Sequence, residues 1–461
     1  MTKIPIVQSA LPGGAGLWVC RRWGWEKRDG FFFAFVFGLL LLHPLLNGYP
    51  FLFADSWGYC CACPDGMRSP VLGCMLRPVV LIAGVWGYVA AQCATTAFAF
   101  TFLSSIVLKR NHPWALVASL LISGTGVFAG WILADMWTLV GLLCLFAISI
   151  GYAYPAIALL LSVSCSTHFG NFPTYATAAL MILPLVREKA KFAARTALCL
   201  LAALGLIAAA NLIGGVFKLS SGNGLIYLAS RIIHDMPELV EDICRQDPTF
   251  ELCQRKEDVR QWSEREPASL IWLVAENLNL SWSQFNAISR RIIVFSISEF
   301  PGYYFKHLTA SLRNTFELLA FYELSDGHVP YRQDPYVFDS MQAFLPEDSN
   351  AYLQSWQGDG RLQSFLKRVD IPLTVLFWLS TVACLAAAIT FRQTRYEDTL
   401  IQLALFALVT VAVNAFFMSN LGGVFSRYHT RIGFLLIFPG TALIGRWLSR
   451  LVEKMSDHRK T

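Results

Sequence analysis

Between the first two apolar runs of the chain lies a short polar island, Asp55-Ser56-Trp57-Gly58-Tyr59, and Arg68-Ser69-Pro70 follows in the same loop. A carboxylate just beyond a membrane span is costly unless it pairs, faces water or acts on something. Asp55 can serve as a general base that activates an acceptor hydroxyl, or hold a divalent cation against a phosphate. Its structural alternative is an N-cap, because Asp55-Ser56 can also start a short interfacial helix. Tyr59 and Arg68 are candidates for holding a substrate. The planar guanidinium fork of arginine donates two hydrogen bonds at once to phosphate. Arg77 lies where the loop re-enters the membrane, where snorkelling to headgroups is the preferred reading.

Two more outer boundaries carry isolated polar residues. Asp135 sits in Leu133-Ala134-Asp135-Met136-Trp137 with Trp131 upstream. Tryptophan favours the membrane interface, so the expectation is an interfacial carboxylate, either a second acidic member of a site or a solvated turn. His168, in Ser166-Thr167-His168-Phe169-Gly170-Asn171, is a candidate for phosphate binding or proton transfer, with a structural donor as the alternative. The last outer loop reads Gly422 to Arg431 and contains Arg427-Tyr428-His429-Thr430-Arg431. Two arginines four residues apart fall on one helix face, at a helix start where the dipole favours an anion. A phosphate clamp is the preferred reading, and a salt bridge to an acidic outer segment is its rival. No Gly-rich nucleotide loop, zincin motif or nucleophile elbow occurs, and nothing points to nucleic acid.

The elements that must position these residues are apolar. Of the 461 residues 55% are hydrophobic and only 15% charged, against roughly 25% charged in soluble domains. Apolar runs fall at about 31–49, 78–108, 113–134, 136–150, 152–167, 173–187, 192–216, 371–391, 398–418 and 431–448. This predicts an all-α polytopic membrane protein of about ten transmembrane helices with one large, mainly helical extracytoplasmic insertion. Three of the runs, 136–150, 152–167 and 173–187, are shorter than the ~17–25 residues of an ordinary span. Basic clusters mark every other boundary: Arg21-Arg22 with Lys27-Arg28, Lys109-Arg110, Arg187 to Lys191, Arg392 with Arg395, and Arg446 to Lys460. The positive-inside pattern places both termini in the cytoplasm and the first run is read as a retained span. The expected divisions are a cytoplasmic segment 1–30, a bundle 31–216, an extracytoplasmic domain 217–369, a second bundle 370–448 and a cytoplasmic tail 449–461. The 217–369 segment holds 20 of the 31 acidic residues. Prolines at 237, 248, 301, 330 and 335 should break its helices. Its stretch from Ile288 to Phe321 reads either as an amphipathic pair on the lipid surface or as a hairpin of a soluble cap.

Cys93, Cys144, Cys199 and Cys384 lie in apolar runs and read as packing residues. Cys60, Cys61, Cys63 and Cys74 cluster in the first polar loop, where disulfides are open to several pairings and the C-C-x-C spacing does not suit a zinc knuckle. Cys244 and Cys253 flank a turn signal at Asp247-Pro248 and are expected to form a disulfide.

The acidic first loop, the many spans with short outer loops and the large outer insertion resemble the GT-C membrane glycosyltransferases. Asn47-Gly48-Tyr49-Pro50 followed by Asp55-Ser56-x-x-Tyr59 and Arg68-Ser69-Pro70 is similar to the first loop of a bacterial branch of that family, as is Arg427-Tyr428-x-x-Arg431 before the last span. The resemblance implies an enzyme in the bacterial inner membrane that transfers a sugar from a polyprenyl-phosphate-linked donor to a glycan, lipid or protein acceptor at the outer face. It makes Asp55 the base or acceptor-orienting group and Arg427 and Arg431 the groups that meet the lipid phosphate. Many members carry two adjacent acidic residues where this chain has Asp55-Ser56, so a divalent metal is compatible but not required. The competing expectations are a transporter or flippase for a lipid-linked or anionic substrate, and a non-catalytic subunit of an envelope polysaccharide complex.

Overall fold

The computed structural model describes residues 26–53, 55–61, 68–109, 113–168, 170–214, 219, 224–263, 281–298, 301–328, 330, 339, 342–343, 345–390 and 398–458. Helices account for nearly all regular structure among them. One isolated parallel bridge joins Phe51 and Trp131.

The apolar runs form helices whose ends are set by local chemistry. Helix α1 (Lys27–Asn47) opens on a capping box between Glu26 and Asp29 and ends at Gly48, whose φ of +84° suits glycine. Helix α2 (Ser56–Cys61) is short and lies between the first two long apolar helices in the chain. Helix α3 (Pro70–Phe102) starts with proline at its first position and Ser69 as N-cap, is kinked at Ala83–Gly84, and continues into a π-turn at Leu103–Val107. Four shorter apolar segments follow. They are α4 (Pro113–Ile122) with α5 (Thr125–Ala129), α6 (Asp135–Ser149), α7 (Pro155–Thr167) and α8 (Asn171–Ile182). Helix α9 (Lys189–Ile213) completes the N-terminal bundle.

Beyond it the long acidic segment divides in two. Helices α10 (Gly224–Asp235), α11 (Glu238–Gln246), α12 (Lys256–Ser263) and α13 (Trp282–Ser298) enclose a small core of their own around Ile226, Leu239, Ile243, Trp262 and Ile288. The remainder is fastened to the membrane bundle. Helix α14 (Pro301–Ala320) lays Leu318 and Leu319 against Ala415 and Met418. Tyr322, Leu324 and Tyr352, the last from helix α15 (Ser349–Gln354), join the main core. Of the five prolines expected to break helices, Pro237 and Pro301 stand at the starts of α11 and α14, Pro248 follows the end of α11 and Pro330 lies in no helix, while Pro335 is outside the described residues.

Helices α16 (Arg361–Thr390), α17 (Thr399–Leu421), α18 (Arg427–Thr430) and α19 (Phe434–His458) close the chain. Among the described residues six helical segments are long and apolar enough to cross a membrane: Lys27–Asn47, Pro70–Ser105, Lys189–Ile213, Arg361–Ile389, Thr399–Leu421 and Phe434–Ser456. Large apolar side chains such as Leu81, Ile82, Leu198, Leu201, Ile371 and Val382 point outward and exposed. Helices that are apolar on outward as well as inward faces are those of a multi-pass membrane protein.

One sequence expectation is corrected by packing. Trp131 and Trp137 are not interfacial anchors; they are 0% and 3% exposed. Gln92 explains why: its Nε2 donates to the carbonyls of Ala129 and Trp131 at 2.9 and 2.8 Å, and its Oε1 accepts from the Trp137 indole at 3.1 Å. That interior polar residue satisfies the irregular backbone between α5 and α6, which lets the turn bearing Asp135 lie buried.

Candidate active site

The turn that carries Asp55 is held from three sides. Phe51 exchanges backbone hydrogen bonds with Gly130 and Ile132, both at 3.0 Å. The Gln357 amide clasps Leu52 through both of its backbone groups, at 2.9 and 2.6 Å. Ser56 Oγ accepts from the Phe53 N–H at 2.9 Å. Asp55 is thereby freed from capping, and its carboxylate accepts from Arg68 Nη2 at 2.5 Å. Gly58 makes this contact possible, because a Cβ there would stand 2.8 Å from Arg68 Cδ. Arg68 is fixed in turn by its neighbour Ser69, whose hydroxyl donates to the Ser166 carbonyl at 2.5 Å.

Asp135 is the first residue of α6 and only 5% exposed. Arg431 Nη1 donates to it at 3.0 Å, and Arg431 Nη2 reaches Asn414 Oδ1 at 3.4 Å. Asn414 Nδ2 closes the ring by donating to the Tyr428 carbonyl at 2.8 Å. A salt bridge between partners 0% and 7% exposed positions α6, α17 and the α18 turn against one another. The alternative in which the arginine pair binds the acidic outer segment does not hold for Arg431.

Arg427 differs from both other arginines. Its guanidinium lies over the ring of Phe53 at 3.9 Å, with Tyr428 and Phe425 at 5.0 and 5.5 Å. Its Nη2 donates to the Tyr428 hydroxyl at 3.3 Å, whereas Nε and Nη1 are buried without a partner. Its backbone N–H, not its side chain, donates to Asp326 at 3.0 Å. Among the described residues no carboxylate forms a salt bridge with it. Burial opposes its charge, but Tyr428 and the carboxylates Asp135, Asp55 and Asp326 outweigh that and raise its pKa, so it remains a cation.

Asp55, Tyr59, Arg68, Asp135, His168, Arg427 and Tyr428 line one cavity. The sequence-predicted residues thus converge, with Arg431 standing behind Asp135. Arg77 is outside the cavity and exposed, consistent with snorkelling. His168 is buried, and its pKa is driven well below the ordinary histidine value by burial and then by Arg431 and Arg427. Its Nδ1 accepts from the Gly170 N–H at 3.1 Å, so it is a neutral imidazole and not a cation for phosphate. The Tyr59 phenol is pushed well above its usual range by burial and then by Asp55, and remains a neutral hydroxyl. The cavity volume is about 30 Å³, room for roughly one or two waters.

Ser69, Leu133 and Tyr227 complete the lining. Sequence reasoning missed Tyr227, which the unit with its own small core contributes from α10, and also Phe53, which supports Arg427. The aromatic-rich approach to Asp55, Tyr49-Pro50-Phe51-Leu52-Phe53, is the one signal that pointed to such support. Among the described residues no group of three or more metal-ligating side chains occurs. Cys74 is a free thiol, and the side chains of Cys60, Cys61 and Cys63 lie outside the described residues. Fold and site together define an all-helical, multi-pass membrane protein with a charged cavity at one end of its bundle. No protein-family model, curated protein or solved structure matches the chain.

Proposed function

We propose that the protein is a membrane glycosyltransferase that moves a sugar from a polyprenyl-phosphate-linked donor to an acceptor hydroxyl at the outer face of a bacterial inner membrane. The observation that carries this reading is Arg427, a buried cation with two unpartnered N–H-bearing nitrogens in the same cavity as Asp55. Arg68 and Arg431 already serve Asp55 and Asp135. Arg427 forms no salt bridge among the described residues, and its Nε and Nη1 are buried without a hydrogen-bond partner. In the reaction, the bond from the sugar anomeric carbon to the phosphate oxygen breaks and a bond to the acceptor oxygen forms. Asp55 takes the acceptor proton, and Arg427 stabilises the charge growing on the departing phosphate. Arg431 becomes a positioning residue here, since its fork is occupied by Asp135 and Asn414. The cavity must widen to admit a sugar phosphate, and α10, which brings Tyr227, is the wall best placed to move.

The topology is proposed on the same footing. The π-turn after α3, the C-terminal ends of α6 and α8 and the starts of α9 and α17 line a second cavity. The opposite ends of α3, α6 and α7 meet at Asp55, Asp135 and His168. Ser105 bonds Asp29 at 2.6 Å, and Arg446 pairs with Asp398, which puts the start of α1 and the latter part of α19 at the second face. Counting α4 with α5 as one crossing, ten segments alternate between the faces, with both terminal helices reaching the basic, cytoplasmic one. A transporter reading fits less well, because Leu139, Val140, Leu142 and Leu143, all buried, pack the interior between the two faces.

The test does not require knowing the sugar. Proteoliposomes supplied with a panel of polyprenyl-phosphate sugars and a mixed glycan acceptor should release free polyprenyl phosphate. Asp55→Asn and Arg427→Gln should each slow that release by about 10²-fold or more, with the protein still folded. Release that is absent for every donor, or undiminished in Asp55→Asn, would refute the assignment.

A further inference from the structure

The second cavity has a chemistry of its own. It measures about 510 Å³ and lies at the end of the bundle opposite Asp55. Four cations line it, Lys109, Arg187, Lys191 and Arg195, against one carboxylate, Glu188. Glu188 is bound by Lys191 at 2.8 Å. Lys109, Arg187 and Arg195 have no salt bridge among the described residues, and Arg195 Nη1 donates to the Gly151 carbonyl at 3.4 Å. The charges come from three separate links of the chain: the turn after α3, the α8–α9 connection and the first turns of α9. Like charges from three elements repel one another, so gathering them around an open volume disfavours the folded state unless an anion offsets them.

The walls beside the charges are apolar. Phe146, Ile182 and Phe192 line the cavity itself. Leu198, three residues after Arg195 and so on the same helix face, is 69% exposed, and Leu201 is 65% exposed. A cationic cavity that gives onto an outward apolar helix face matches an amphiphile with an anionic head. Basic cavities between transmembrane helices recognise lipid phosphates in this way.

We propose that this cavity binds the phosphate of an anionic ligand, with the flanking apolar face selecting a phospholipid headgroup. The site is distinct from the charged cavity at the other face and does not depend on the reaction proposed for it. The purified full-length protein would be titrated with phosphatidylglycerol and with phosphatidylcholine, and bound lipid counted by native mass spectrometry. Wild-type protein should prefer phosphatidylglycerol by about ten-fold or more, and each basic residue removed should weaken it about five-fold. The Lys109→Gln/Arg187→Gln/Arg195→Gln variant should therefore lose on the order of 100-fold. Lys454→Gln, on an exposed turn of α19 outside the cavity, should change nothing, and the triple variant should melt no lower than wild type in lipid-free detergent. Competition with tens-of-millimolar inorganic phosphate, on the scale of weak ionic binding, separates the sources. Failure to displace the lipid supports a headgroup site, and full displacement would move the same cavity to a soluble phosphate compound and overturn the lipid assignment. Equal lipid retention by wild type and triple variant, or an equal fall in Lys454→Gln, would overturn the site altogether.

Discussion

At the scale of residues, three arginines surround one cavity and only their partners distinguish them. Arg431 is 1% exposed and its charge is met by Asp135. Removing one member of a buried ion pair leaves the other charge uncompensated and costs roughly 3–5 kcal/mol. Arg431→Gln should therefore lower stability by about that amount, seen as a large fall in melting temperature in detergent. Arg427 forms no direct salt bridge among the described residues and feels Asp135, Asp55 and Asp326 only without contact by its side chain, so Arg427→Gln should cost less stability, about 1 kcal/mol, mainly through lost packing on Phe53. The two variants should separate in opposite directions, one failing in stability and the other in turnover. If both lose stability equally, Arg427 is a structural cation and the anion site is misassigned. Gly58 belongs to the same scale: its missing Cβ is what lets Arg68 lie across α2 to Asp55.

At the scale of elements, the long acidic segment shows two ways of attaching helices to a bundle. The unit α10 to α13 carries its own core and a disulfide between Cys244 and Cys253, the pairing expected from the turn between them. Because the closed loop is short, the cross-link removes limited chain entropy, and its loss is worth about 2–3 kcal/mol. The Cys244→Ser/Cys253→Ser variant should open this unit to limited proteolysis earlier than wild type, and reducing agent should abolish the difference. Protection that is unchanged in the variant would show the small core to be sufficient alone. Helix α14 attaches differently. Its inner face packs on α17, while Phe305, Leu308, Leu312 and Phe316 form an exposed stripe spaced by three and four residues. One face of this helix is therefore packed and the other apolar and exposed.

At the scale of the whole molecule, the site end of the bundle encloses histidines that are neutral in the fold. His328 stacks on Trp131 at 4.4 Å, and His429 sits against Phe377 at 4.4 Å. Burial lowers the pKa of each to about 3, and His168 is also well below its ordinary value. In the unfolded chain all three protonate near pH 6.5. Below that pH the unfolded state binds more protons than the folded state, so stability falls as pH falls. The stabilisation is complete above about pH 6.5 and is lost towards pH 3, at a rate on the order of 1 kcal/mol per pH unit for each histidine. Melting temperatures measured between those limits should drop steadily, and a His328→Gln/His429→Gln variant should show a shallower slope. An unchanged slope would mean that these histidines are protonated in the fold.

The sequence by itself determined the class of this protein and most of the polar residues that line its charged cavity. Runs of apolar residues have no soluble solution, and isolated carboxylates and arginines at span ends are expensive enough to mark themselves. Asp55, Arg68, Asp135, His168, Arg427 and Arg431 were therefore legible one by one. What only the tertiary structure decided is which charge answers which. Asp135 and Arg431 are almost 300 residues apart, and their pairing depends on how the start of α6 meets the end of the α18 turn, which no local pattern encodes. The same holds for Trp131 and Trp137: their chemistry suits an interface, but Gln92, far away in sequence, satisfies the backbone around them and makes burial possible. Tyr227 stayed invisible because nothing in the mixed sequence of α10 announces that one of its rings reaches the cavity. Spacing along a chain reports faces of single helices, whereas the remaining positive charge on Arg427 is a property of the assembled charges around it.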